Sequence, residues 1–350
     1  MRRFTCERCA HAVAFAAQNC AGCAHHLGYL SHERNVRILE PTSNPAVFLV
    51  AGSEDAWWRC LNSAWGCNWM LPAESESPWC RSCQMTRGRP DEARPDAIQA
   101  WIAAEAAKRR LVHQLDELEL PIEIRSASIP DGLAFDLVDV PGEGGITGHL
   151  DGVITLDLAE TDEQHRDDLR RVLGEPYRTV IGHLRHEIGH YYWARLVAQT
   201  EQIDEFRRLF GNERVDYQAA VEQHYAGDTT DWDSTHHVSA YAASHPLEDF
   251  AESFAHYLHI LDAIDTADAH HLSVSDCAQL PDVGTDAYQG FEDILDAWRP
   301  INEAINAVAD ALGTPAIYPF DPTGLVVDKL AFVHRQVLDH VARHRFYEAH

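Results

Sequence analysis

Hydrophobic and polar positions change period several times along this chain, and the changes predict its elements. From Asp96 to Leu118, the residues Ile98, Trp101, Ile102, Val112 and Leu115 fall on a rough helical stripe that Glu105 interrupts. Ile122–Val140 reads as strand segments broken by Pro130-Asp131-Gly132, Gly142–Gly145 as a loop, and Asp151–Asp157 as an alternating strand. Val180, Ile181, Leu184 and Ile188 then recur at helical spacing, and no proline occurs from Tyr177 to Val197, so a helix is expected from about Gly174 to Gln199. Gly227–Asp233 is a polar loop leading into His236-His237, which read as solvated. Pro246–Ile264 is the next helix, with proline in its first turn. Gly290–Leu312 and Leu325–His344 read as long helices, the first broken at Pro300. Before residue 90 the pattern is short strands and cysteine turns. The sum is an α+β protein: a ribbon region over 1–89, a turn-rich linker at 90–96, and a mainly helical domain over 97–350 with a small sheet.

Composition narrows the function. A chain of 350 residues can bury a large core in more than one domain. The formal charge is −27, from 28 basic and 55 acidic residues. Residues 1–95 hold ten arginines against nine acidic residues, so the later region carries the negative charge. That distribution disfavours nucleic acid as a partner, because phosphate contacts need clustered Lys and Arg. It suits a protein or peptide substrate, basic ones in particular. Lys108 and Lys329 are the only lysines, which reads as compositional bias. No apolar run approaches 18 residues, so no membrane span is expected. Met1-Arg2-Arg3 is followed by cysteines rather than an apolar signal core, and a cytoplasmic location is the expectation.

Eight of the nine cysteines precede residue 84. Cys6-x2-Cys9 with Cys20-x2-Cys23, and Cys60-x6-Cys67 with Cys80-x2-Cys83, supply thiolates for two structural zinc sites. Crossed pairing of these turns stays open. A reducing compartment disfavours disulfides, and the βαβ context of a redox pair is missing. Cys277 stands alone and reads as an inert thiol. Trp57, Trp58, Trp65, Trp69 and Trp79 crowd the second cysteine set, either as a small core around the metal or as an aromatic platform for a protein partner.

The sharpest motif is His186-Glu187-Ile188-Gly189-His190. Four residues at about 100° each return to one helix face, so both imidazoles reach one zinc ion while Glu187 stands beside it as a base. A catalytic zinc needs a third protein ligand and an open position for water. A third histidine six residues on is excluded, since Trp193 and Leu196 occupy the glycine and histidine positions of that pattern. A glutamate from a later helix is the other solution. Glu248 and Glu252 lie one turn apart on one face of Pro246–Ile264, away from the Phe250/Phe254 face. One of the two would bind zinc and the other would hold a ligand histidine.

With a glutamate as third ligand the motif resembles the gluzincin pattern. Tyr241 to Phe254 is similar to the corresponding stretch of an anthrax-lethal-factor-like catalytic core, where a tyrosine lies seven residues before the ligand glutamate and Phe-Ala-Glu follows it. Together with the cysteines, nearly the whole chain resembles the bacterial putative zinc-binding metallopeptidases that carry an N-terminal zinc-ribbon region. The resemblance implies zinc on His186, His190 and Glu248, Glu187 as general base, Tyr241 supporting the transition state, and Glu252 behind a ligand histidine. It implies one catalytic and two structural zinc ions. In this fold type the Asp151–Asp157 strand would be a sheet edge able to pair with an extended substrate. Two other readings stand beside the peptidase. One is a zinc-ribbon adaptor whose peptidase-like domain is silent, against which the intact Glu187 speaks. The other is a protease of DNA-bound proteins of the SprT type, against which the neutral ribbon and acidic body speak.

Overall fold

The computed structural model describes residues 3–139, 147–173, 177–227, 232–272, 274 and 290–348. Cys277, the Gly142–Gly145 loop and the centre of the Gly227–Asp233 stretch lie outside the described residues. The ribbon region opens with a two-stranded pair, β1 (Phe4–Thr5) and β2 (Ala12–Val13). An antiparallel meander follows in the order β3 (His26–Leu30), β4 (Asn35–Pro41), β5 (Val47–Val50), β6 (Ala56–Arg59) and β7 (Met70–Pro72). A short helix, α1 (Arg81–Gln84), carries Cys83, the last cysteine of the ribbon region.

The ribbon does not end there. The Phe135 N–H donates to the Met85 carbonyl at 2.8 Å, and the Arg87 N–H donates to the Phe135 carbonyl at 3.0 Å. The chain leaving the last cysteine thus lies along β8 (Ala134–Val138). Helix α2 (Pro95–Glu117) packs beside it, with proline in its first turn. Glu105, the residue that broke the apolar stripe, is buried against Lys108 at 2.8 Å and also lies 3.6 Å from Arg109. Lys329 is buried too, against Asp249 at 2.5 Å. Both lysines of the chain therefore sit in buried ion pairs, where losing one partner costs about 3–5 kcal/mol, and compositional bias does not account for their positions.

The small sheet corrects one expectation. β9 (Gly148–Leu150) and β10 (Val153–Asp157) form a hairpin with Val153 opposite Leu150. Asp151 and Gly152 are its two-residue turn, both at positive φ (48° and 81°), as a type I′ turn demands. β10 is consequently central, parallel to β8 on one side and antiparallel to β9 on the other. With Met85–Arg87 lying along the far side of β8, β9 is the open outer strand among the described residues, and Asp151–Asp157 is not an edge.

The helical layer comprises α3 (Glu163–Leu173), α4 (Val180–Leu196), α5 (Ile203–Phe210), α6 (Tyr217–Ala226), α7 (Pro246–Ala269), α8 (Phe291–Ala311) and α9 (Leu325–Glu348). α4 begins later than expected because Thr179 caps it, its hydroxyl accepting from the Gly182 N–H at 3.0 Å. α8 is continuous through Pro300, contrary to the expected break; Trp298 and Ile301 on either side are buried in the core. One core runs from Phe4 and Tyr29 of the ribbon through Trp101 and Leu115 of α2 to Phe254 of α7 and Val337 of α9.

At its centre α4 crosses α7 at unusually close range. A Cβ at Gly189 would stand 2.8 Å from the Ala251 Cα and 3.0 Å from its carbonyl oxygen, both backbone atoms. Gly189→Ala gains about 1 kcal/mol in helix propensity. It must nevertheless separate two packed backbones, at a cost of about 1–3 kcal/mol. A lower thermal midpoint for G189A is the expected outcome; a raised midpoint would mean that the crossing yields freely.

Candidate metal centres and active site

The cysteines group in sequence order. Cys6 and Cys23 Sγ are 3.6 Å apart, as are Cys9 and Cys20. In the second group Cys67 lies 3.7 Å from Cys80 and 3.8 Å from Cys83, while the Cys80 N–H points at Cys60 Sγ at 3.3 Å. In each group all four sulfurs lie within 4.8 Å of one another. A disulfide would need about 2.05 Å. Four thiolates at about 2.3 Å from a tetrahedral zinc stand about 3.8 Å apart, so the spacing fits the ion. Of the crowded tryptophans, Trp69 is buried against Tyr29 and Trp79 is 43% exposed, so both readings of the cluster find a residue.

The third group forms where α4 meets α7. His186 and His190 Nε2 are 3.2 Å apart. Glu248 Oε2 is 2.9 Å from the first and 3.4 Å from the second. Ligands at about 2.0–2.1 Å from a tetrahedral zinc would stand about 3.4 Å apart, close to these edges. Hydrogen bonding fixes the tautomer of His186. Its Nδ1 donates to Glu252 Oε1 at 2.7 Å, and Ser239 Oγ donates to Glu252 Oε2 at 2.7 Å. Nε2 then turns a lone pair toward another lone-pair donor and an anionic oxygen, an arrangement that needs a cation at the common point. The same need appears in the acidities. Burial would push His186 down, but Glu248 and Glu252 outweigh it and raise it well above the usual histidine range. Burial would raise Glu248, yet His190 and His186 hold it well below the carboxylate range.

Glu187 points from the same helix turn. It is buried, its Oε2 has no hydrogen-bond partner among the described residues, and burial raises its affinity for a proton. A buried, unpartnered carboxylate oxygen is costly unless something outside the protein meets it. Glu187 opens onto a cavity of about 230 Å³ that His183, Tyr225, Trp232, Tyr241 and Phe320 also line. The Tyr241 ring lies 5.8 Å from that of His186, and burial pushes its phenol far up, so it stays protonated as a donor.

Two neighbours carry no signal in the sequence. Tyr217, 31 residues before Glu248, donates to Glu248 Oε1 at 2.6 Å. His149 of β9 stacks on His190 with centroids 6.2 Å apart, and this sets the outer strand beside the site. A lone tyrosine after an N-cap aspartate and a lone histidine in a strand have no spacing that marks them. His236 and His237 stay apart from the group: His236 bonds Asp233 at 2.7 Å, and His237 lies 3.7 Å from Asp249.

The model of a family described as putative zinc-binding metallo-peptidase matches residues 97–336, and that of a zinc-ribbon domain matches residues 3–94. Two relatives, uncharacterized proteins of Mycobacterium bovis and Mycobacterium tuberculosis, are each 39% identical over 345 residues, covering 98% of this chain and 96% of the relative. No solved structure matches.

Three clusters predict about three zinc ions per chain, measurable by elemental analysis. Mild chelation is expected to remove one ion first, from the site with three protein ligands. Glu248→Ala then leaves two ions, whereas Glu252→Ala keeps three with affinity at the histidine site weakened about 10- to 100-fold. The reverse order in a competition titration would transfer the ligand role to Glu252.

Proposed function

Because the chain belongs to the putative zinc-binding metallo-peptidase family, we propose that it is a zinc-dependent peptidase of the gluzincin type, with Glu187 as its general base and His186, His190 and Glu248 as its metal ligands. The observation that carries this reading is the convergence of those three donor atoms within 3.4 Å, one helix residue away from a carboxylate oxygen of Glu187 that has no partner among the described residues. A purely structural ion needs no such base. The bound zinc would polarise the scissile carbonyl and acidify a water molecule.

The remaining steps belong to the chain's own residues. Glu187 takes one proton from the attacking water, whose oxygen bonds to the carbonyl carbon. The same carboxyl then delivers that proton to the amide nitrogen as the C–N bond breaks. Its buried setting favours a group that both accepts and returns a proton, because burial lifts the carboxyl toward the operating range. Tyr241 donates to the oxygen on which negative charge develops. Glu252, oriented by Ser239, keeps His186 in the tautomer that presents Nε2. β9, outermost of its sheet among the described residues and stacked through His149 on His190, is the edge along which an extended peptide would add as a strand.

Glu187→Gln preserves shape and removes the base. It is expected to keep all zinc and the thermal midpoint and to lose peptide hydrolysis by about 10²-fold or more, read with unfolded basic proteins as substrates. Tyr241→Phe is expected to lose about 10²–10³ in kcat, also with zinc retained. Wild-type turnover by E187Q would refute the mechanism.

A further inference from the structure

Glu248 has two carboxylate oxygens, and the structure uses them differently. Oε2 faces the two histidine nitrogens, and Oε1 accepts from Tyr217 at 2.6 Å. Among the described residues Oε1 has no second donor. Glu248 is 1% exposed, while Tyr217, which meets it, is 43% exposed. Tyr217 comes from α6, a helix that buries none of its residues fully. Its position is nevertheless set. Asp216 caps α6 by accepting from the Ala219 N–H at 3.0 Å. His245, the cap of α7, accepts from the Leu247 N–H through Nδ1, donates through Nε2 to the Val215 carbonyl at 3.3 Å, and packs edge-on against the Tyr217 ring at 5.1 Å. The residue that starts the helix bearing Glu248 thus also holds the tyrosine that faces Glu248.

Resting on the reading of Glu248 as a zinc ligand, we propose that Tyr217 is a positioning residue that restricts Glu248 to one ligating oxygen and so keeps the fourth coordination position open for water. A carboxylate free to rotate can bind a metal through both oxygens, and a three-ligand zinc site can expand to five-coordinate. A hydrogen bond to Oε1 opposes that rotation, because the second oxygen must abandon a short bond and, among the described residues, no other donor stands at Oε1. The requirement falls on the hydroxyl rather than the ring.

The test reads coordination without substrate. The histidine-site ion is removed by chelation with the cysteine sites left loaded, cobalt(II) is added, and the difference absorption spectrum is recorded. Wild type is expected to give the strong visible bands of four-coordinate cobalt, and Tyr217→Phe the weaker bands of five-coordinate cobalt. Peptide hydrolysis by Y217F should fall about 10-fold or more in kcat with KM little changed. Gln218→Ala, exposed on the same helix, should keep the wild-type spectrum. Identical spectra for wild type and Y217F would overturn the proposal, as would a Q218A spectrum shifted like that of Y217F. Failure of wild type to take up cobalt at all would overturn the ligand reading itself, a result distinct from uptake with an unchanged spectrum.

Discussion

Everything at the centre of this molecule depends on how closely α4 and α7 approach. The two histidines stand on one helix and the two glutamates on the other, and only a backbone contact near Gly189 and Ala251 lets their side chains meet. The approach is held as well as permitted. Arg185, directly before His186, donates through Nε to Gln114 of α2 at 3.0 Å. Its other nitrogens reach His259 at 2.7 Å and Asp262 at 2.6 Å, both on α7. Gln114 in turn donates to the Leu258 carbonyl at 2.6 Å. A buried guanidinium with its partners satisfied fixes three helices at once, because any relative shift would strand a charge away from water. The turn of helix that follows inherits that registration.

The ribbon region is tied to the same assembly. Met85–Arg87 lies along β8, and β8 lies along β10, whose hairpin partner β9 brings His149 against His190. The second cysteine group is linked more directly still: Cys83 Sγ is 4.0 Å from Glu105, whose other oxygen meets Lys108. Burying a glutamate beside a thiolate cluster is electrostatically unfavourable alone, and the buried ammonium offsets it. The chain can do without lysine on its surface, where arginine serves. It keeps lysine at two places, and in both an ammonium closes a fully buried pair. The continuous core from Phe4 to Val337 has the same implication, since metal binding in the ribbon and packing in the body share apolar contacts.

Much of the fold and part of the candidate site were legible in the sequence because they repeat within one turn or one knuckle. Helical periods marked α2, α4, α7 and α9, erring at ends where a cap rather than a hydrophobic residue sets the limit, as Thr179 does for α4. The Asp151-Gly152 turn was also written in the chain, as a dipeptide suited to positive φ at both positions. Reading it as part of a strand made an edge of a central strand. Pro300 looked like a break, yet a helix anchored by Trp298 and Ile301 tolerates one missing N–H.

The sequence by itself determined what backbone geometry fixes over a few residues. His186 and His190 share a face, Glu187 lies beside them, Glu248 and Glu252 stand one turn apart, and the cysteine turns offer paired thiolates. Tertiary structure alone decided which cysteine turns group together, which glutamate oxygen faces the histidines, and that Tyr217 and His149 belong beside them. The reason is the range of the constraint. Periodicity encodes neighbours within about a turn, whereas contacts spanning 31 or 41 residues arise only when packed backbones bring distant segments into register, and a single tyrosine or histidine leaves no periodic trace of that encounter.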